Sequence, residues 1–333
     1  LDELDYIGKK VSKTPTITDL QIADSNYGMY KKDKIVSEKI LELQKKYHWP
    51  LGIYVSTGKH FANVIENTEM LMDAFDFCIS VQSMDADVLG AIKRKNISAE
   101  KYKLAAQMLR AKGRSTMSET IVPLPNETLE GYLKGVEELM SWKVARIVSN
   151  TVMFLNGTEY KDKKFLDKFG YKSKFRLVAS QFGTYGGEKV FEIEEVGIST
   201  NAMSFEEYLE VRKFTFLVEM LFNNKIFREI EYLLEDYQLS YYDYISFVYK
   251  ELENAHQDIK GVMQSLVKQS INELKDSEES LIEYYNTEEK YQALLKGEEG
   301  TNIKYAHKAL LLSRYKDVWL EFSYNFLDMD EKN

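Results

Sequence analysis

The sequence predicts an α/β protein, with a parallel sheet over its first two hundred or so residues and a mainly helical region after them. Three observations carry this prediction. Short runs rich in Ile, Val and Thr alternate with amphipathic stretches up to about residue 200, as successive right-handed βαβ units do. Each of these strand-like runs ends in a polar or turn-forming cluster. From about Ser204 the strand texture gives way to helical runs rich in Glu, Lys, Tyr and Leu.

The elements are expected in the following order. A strand over 15–22 leads to a helix from Lys34 to Tyr47. "LGIYVST" (51–57) is a second strand, with a helix from Phe61 to Ala74 behind it. "FDFCISVQ" (75–82) is a third, followed by helical segments at Ala86–Arg94 and Ala99–Ala111. "RSTMSETIV" (114–122) and "VARIVSNTVMF" (144–154) are the fourth and fifth, with a helix from Glu127 to Trp142 between them. "GTYGGEK" (183–189) reads as a turn, and "VFEIEEVGIST" (190–200) alternates as a strand does. Ser204 with Glu207 three residues later has the form of a capping box. A domain boundary is therefore expected near residue 200, separating 1–200 from a helical region over 201–333. Five βα units suit a barrel or partial barrel as well as an open doubly wound sheet. No G-x-G-x-x-G or G-x-x-x-x-G-K-[ST] follows any strand, which argues against a Rossmann site or a P-loop.

Composition narrows the function classes. The net charge of −9 argues against a general binder of nucleic acid or anionic membrane. No apolar run approaches the roughly 18–20 residues of a membrane helix, so a cytoplasmic protein is expected. The chain opens at Leu1 in charged, helix-like sequence, which reads as the interior of a protein cut at its N-terminus. The single cysteine, Cys78, excludes a multi-thiolate metal site from this chain and reads as a packing thiol. His48 and His60 have no partner at metal-ligand spacing.

The polar clusters are Asp24-Ser25-Asn26, Ser56-Thr57-Gly58, Gln82-Ser83, Pro123-Leu124-Pro125 and Asn156-Gly157-Thr158. Parallel α/β folds bind ligands at the C-terminal edge of the sheet, so the five clusters read as one site. Asp24, Ser25 and Asn26 suit an ammonium donor, or form a turn bonded to its own backbone. Ser56 and Thr57 contact a ligand or cap the next helix. Gln82 both donates to and accepts from hydroxyls, with Ser83 beside it. Arg94 grips a carboxylate or joins Lys93 and Lys95 in a solvated basic patch. Glu119 is an acidic group near a strand's C-terminal end.

In order, "ADSNYGM", "VSTGK", "ISVQSMDADVLGAIKRKNI", "SETIVPLPNETLEGY" and "MFLNGTEY" resemble the radical S-adenosylmethionine (SAM) superfamily, especially members with an upstream cobalamin-binding domain. The resemblance covers roughly residues 1–200. It implies a partial parallel (β/α) barrel and a [4Fe-4S] cluster on a Cys-x-x-x-Cys-x-x-Cys loop. That loop is absent here and is expected upstream of Leu1, so the fragment alone would be inactive. The resemblance assigns the methionine amino group of SAM to Asp24, Ser25 and Asn26, its ribose to Gln82, Ser83 and Glu119, and its carboxylate to Arg94. Ser56 and Thr57 remain cofactor or substrate contacts. Pro123 stands where the family often has Gly, which puts a backbone contact to adenine in doubt. The implied reaction is reductive cleavage of SAM to a 5′-deoxyadenosyl radical and hydrogen abstraction from a small substrate, or cobalamin-dependent methyl transfer. The implied partners are that substrate and a flavodoxin- or ferredoxin-type reductant. Two other readings stand beside it: a silent barrel binding module without a cluster, and a barrel lyase or aldolase, which lacks an apolar strand-end Lys.

Overall fold

The structure is a computed structural model that describes residues 1–57, 61–74, 77–78, 80–96, 98–111, 116–223 and 228–330. His60, Gly58 and the edges of the expected third and fourth strands lie outside these residues. The chain is α/β. Its first elements are α1 (Asp2–Val11), β1 (Asp19–Gln21), α2 (Lys31–Tyr47), β2 (Gly52–Tyr54), α3 (Phe61–Thr68) and β3 (Phe77–Cys78). Next come α4 (Ala86–Ala91), α5 (Ala99–Ala111), β4 (Thr116–Val122), α6 (Leu129–Ser141), β5 (Arg146–Thr151) and α7 (Lys163–Phe169). A hairpin of β6 (Lys172–Tyr185) and β7 (Glu188–Ser199) closes the strand-bearing part. The described elements after it are helical: α8 (Phe205–Leu217), α9 (Arg228–Asp236), α10 (Tyr241–Glu251), α11 (Gln257–Asn272), α12 (Glu278–Asn286), α13 (Glu288–Leu295), α14 (Ile303–Arg314) and α15 (Lys316–Asp330).

The described strands form three sheets. β1 and β2 pair in parallel, β3, β4 and β5 form a three-stranded sheet with β3 parallel to β4, and β6 and β7 are antiparallel. No closed barrel is present among the described residues. The first three strands pair over only two or three residues each. Isolated parallel bridges at Tyr27–Thr57 and Gln82–Thr120 lie beyond these pairings.

Two compact units divide the chain. The first comprises Leu1–Gln82, Asn96–Thr120 and Leu139–Val148, and the second comprises Ser83–Lys95, Ile121–Glu138 and Ser149–Asn333. In the first, Tyr27, Ile40, Ile53, Val64, Ile65, Leu71 and Leu109 form a core. The inner face of α2 carries Asp33, Ser37, Ile40 and Leu43, spaced three or four residues apart as one helical stripe requires. In the second, Leu177, Leu281, Tyr285, Tyr291 and Leu294 pack the hairpin against α12 and α13. The capping box of α8 is formed: Ser204 Oγ accepts from the Glu207 amide at 3.1 Å, and the Ser204 amide donates to Glu207 Oε2 at 2.7 Å.

Candidate functional site

In the first unit a cleft of about 400 Å³ opens beside the ends of β1 and β2, and Asp24, Ser25, Tyr54, Ser56, Cys78 and Glu119 are among its lining residues. The loop that follows β1 is anchored where it leaves the cleft. The Tyr27 hydroxyl is 2.8 Å from Ser37 Oγ on the inner face of α2. Burial pushes that phenol up to about 12. Asn67 Nδ2 on α3 donates to the Gly28 and Tyr30 carbonyls at 2.8 and 3.1 Å. Gly28 has φ +85°, and a Cβ there would lie 3.0 Å from the Val64 Cα, so the turn needs glycine. With its exit pinned, the loop presents Asp24 and Ser25 to the cleft. Asp24 Oδ1 accepts from the Asn26 amide at 2.8 Å, and Asn26 Nδ2 donates to Ser25 Oγ at 3.0 Å. Asn26 orders this turn and is not among the lining residues.

The opposite wall comes from β3 and β4. β4 alternates buried and half-buried positions, which puts Met117 and Glu119 on one face and Thr116, Ser118 and Thr120 on the other. Glu119 Oε2 accepts from Ser80 Oγ at 2.7 Å, and Ser80 Oγ lies 3.4 Å from the Cys78 sulfur. Burial pushes the Cys78 thiol up to about 12, and the Glu119 charge adds to it, so the sulfur stays protonated at neutral pH. Thr57 Oγ1 donates to the Cys78 carbonyl at 2.8 Å, tying the end of β2 to β3. The Gln82 amide donates to the Glu119 carbonyl at 2.9 Å, and Gln82 sits at φ +64°. Among the described lining residues the charged groups are Asp24 and Glu119, both acidic, with Ile22, Val55 and Met117 as apolar surface. A cleft of this kind suits a cationic ligand with hydroxyls and an apolar body.

Of the residues expected from sequence, Asp24, Ser25, Ser56 and Glu119 line the cleft, and Thr57 and Gln82 bond to its walls. Ser83 and Arg94 belong to the second unit. There Ser83 is buried and donates to Glu127 Oε1 at 2.7 Å. Arg94 is exposed just after α4, and neighbouring Lys93 pairs with Glu159 at 2.6 Å. Sequence reasoning assigned no role to Ser80, although it stands within "ISVQS", or to Tyr54, which lies outside the quoted motifs.

No family model matches the chain. It is 24% identical over 252 residues to the cobalamin-dependent radical SAM methyltransferase TokK of Streptomyces tokunonensis, covering 72% of this chain and 35% of that protein. It is 26% identical over 234 residues to the 2-(S-pantetheinyl)-carbapenam-3-carboxylate methyltransferase of Streptantibioticus cattleyicolor, covering 68% of this chain and 34% of that protein. The chain is a homologue of cobalamin-dependent radical SAM methyltransferases. It spans about a third of the length of the curated relatives it matches. Among solved structures, the radical SAM methyltransferase TsrM from Kitasatospora setae, with tryptophan and a SAM analogue bound, superposes on 44% of this chain. That overlap covers 29% of TsrM, at 16% identity and a TM-score of 0.34. TsrM with cobalamin and a [4Fe-4S] cluster bound gives 45% and 28%, at 16% identity and a TM-score of 0.35.

The cleft's donor set fits SAM: Asp24 matches its ammonium, Glu119 its ribose hydroxyls, and the negative charge of both its positively charged sulfonium. A cluster held by three cysteines does not fit: this chain has one cysteine. No group of three or more His, Cys, Asp or Glu able to hold a metal ion occurs among the described residues. No helix among them is long and apolar enough to cross a membrane.

Proposed function

We propose that the first unit of this chain binds SAM, and that the protein is a radical SAM enzyme of the cobalamin-dependent type acting by methyl transfer on a small molecule. The observation that carries this reading is the cleft with two carboxylates, Asp24 and Glu119, beside apolar Ile22, Val55 and Met117. SAM supplies, when bound, a carbon group on sulfur activated for transfer or release. Asp24 and Ser25 receive its ammonium through charge-assisted hydrogen bonds. Glu119, oriented by Ser80, accepts from the ribose hydroxyls, and Ser56 and the Gln82 side chain complete the polar wall. Asn26 and Thr57 order the segments that carry these groups. The Cys78 thiol, protonated at neutral pH, fills space. A thiolate-bound cluster would draw its ligands from outside these 333 residues.

The wider reading follows the relatives' chemistry. The parallel pairs β1–β2 and β3–β4 are parts of a partial barrel, followed by the mainly helical region after residue 200. Hydrogen abstraction, a flavodoxin- or ferredoxin-type reductant and a cytoplasmic setting belong to the same reading.

Calorimetric titration of this chain with SAM and with S-adenosylhomocysteine tests the site. SAM is expected to bind about tenfold tighter, because only its sulfonium meets the acidic cleft. Asp24→Asn and Glu119→Gln are each expected to weaken SAM binding about tenfold. Equal affinity for the two ligands, or variants that bind like the parent, would sink the assignment. Tight SAM binding by the protein extended to include a three-cysteine loop that, reduced and supplied with iron, sulfide and cobalamin, forms neither 5′-deoxyadenosine nor S-adenosylhomocysteine would leave the silent binding module as the function.

A further inference from the structure

The second unit holds a larger concavity that the SAM reading does not use. α8, α10 with the turn after it, and α11 enclose a groove of about 630 Å³, within the ~300–1,000 Å³ range of small-molecule sites. One face of α11 lines it, since Lys260, Gln264, Lys268 and Ile271 recur every three or four residues. Its floor is apolar: Leu252 and Met263 are buried and Val267 is half-buried.

The groove's charge runs against that of the chain. Four lysines, Lys213, Lys250, Lys260 and Lys268, line it against two carboxylates, Glu210 and Glu253, in a protein of net charge −9. Glu210 is already engaged, paired with Lys213 at 2.7 Å and hydrogen-bonded by the Tyr249 hydroxyl. Lys250, Lys260 and Lys268 make no ion pair among the described residues. Three uncompensated ammonium groups thus face one remaining carboxylate around an apolar floor. Lysines placed only for solubility do not need such a floor, and a purely apolar pocket does not need the cations.

We infer that this groove binds a small amphipathic anion, an apolar body carrying a carboxylate or phosphate head. The body lies on Leu252, Met263 and Val267, where its burial drives binding. The head sits among Lys250, Lys260 and Lys268, which select for negative charge.

The test is calorimetric titration of the chain with decanoate, decyl phosphate and decanol, each below its micelle concentration. Decanoate or decyl phosphate, or both, are expected to bind at least about tenfold tighter than decanol. The tighter of the two identifies the head group. The double variant Lys260→Glu/Lys268→Glu is expected to lose that preference while keeping the parent's circular dichroism spectrum. Lys260→Gln/Lys268→Gln gives the same reading should charge reversal disturb folding. Lys260→Arg/Lys268→Arg is expected to retain it. Decanol binding as tightly as the anions, no binding of either anion, or a preference that survives both the Glu and Gln pairs would overturn the inference.

Discussion

Glu127 lets the cost of burying a carboxylate be read directly from the pH dependence of stability. The residue is only 2% exposed, and one of its oxygens, Oε1, accepts from Ser83 at 2.7 Å. The other, Oε2, has no hydrogen-bond partner among the described residues. Burial pushes the carboxyl from its ordinary 4.5 up to about 7, with the Asp85 charge adding to the rise and the Ser83 hydrogen bond opposing it. The folded pKa lies above the unfolded one, so between these two values the native state keeps a proton that the unfolded chain has released. The associated stability is fully present below the unfolded pKa and is lost as pH rises through about 7. Two to three pH units of displacement correspond to roughly 3 kcal/mol. Glu127→Gln preserves the shape and the acceptor for Ser83 but carries no charge at any pH. Urea unfolding of both proteins between about pH 5 and pH 8 should give nearly equal stabilities at the acid end. The variant should then gain on the parent by about 2–3 kcal/mol at the alkaline end. Taking the difference removes other titrating groups, including His307. Burial lowers the pKa of that imidazole, and its contribution has the opposite sign, lost as pH falls. Parallel pH profiles for the two proteins would refute the reasoning.

Two further outcomes follow from packing and electrostatics. Gly197→Ala puts a Cβ 2.6 Å from Val152 and 3.1 Å from both Phe154 and Tyr171. It should cost about 1–3 kcal/mol by chemical denaturation, and a variant as stable as the parent would show that β7 shifts freely. The Cys78 thiol, held up to about 12 by burial and by Glu119, should react with iodoacetamide at neutral pH far more slowly than it does in the urea-unfolded chain. Equal rates in the two states would contradict the described environment.

The chain's α/β class was legible because β-branched runs and helical periodicity alternate, and the α8 cap because Ser204 and Glu207 interact locally. The lengths of the early strands were not. "LGIYVST" reads as seven strand residues, yet β2 pairs over Gly52–Tyr54 only, since pairing depends on a partner elsewhere in the chain and not on local propensity. β6 escaped notice for a different reason. Its exposure follows no two-residue alternation and its register with β7 shifts between Leu177 and Phe182, so the periodic signal of a half-buried strand is missing. Its partner β7 alternates cleanly over its first six residues and was read correctly. At the cleft, the acidic and hydroxyl groups at strand ends could be named from sequence. Ser80, which orients Glu119 from 39 residues away in the chain, could not, and neither could the burial of Glu127, which only the folded chain creates.

The conformation of Gln82 sets stability against the proposed binding role of the same position. With φ at +64°, it occupies a backbone region that costs an ordinary L-residue roughly 1 kcal/mol and costs glycine almost nothing. Any procedure that ranks substitutions by melting temperature would favour glycine there, and the resulting sturdier protein would lack the side chain proposed above to complete the polar wall. Thermostabilised versions of this chain should therefore be screened by ligand titration before heat resistance is taken as improvement.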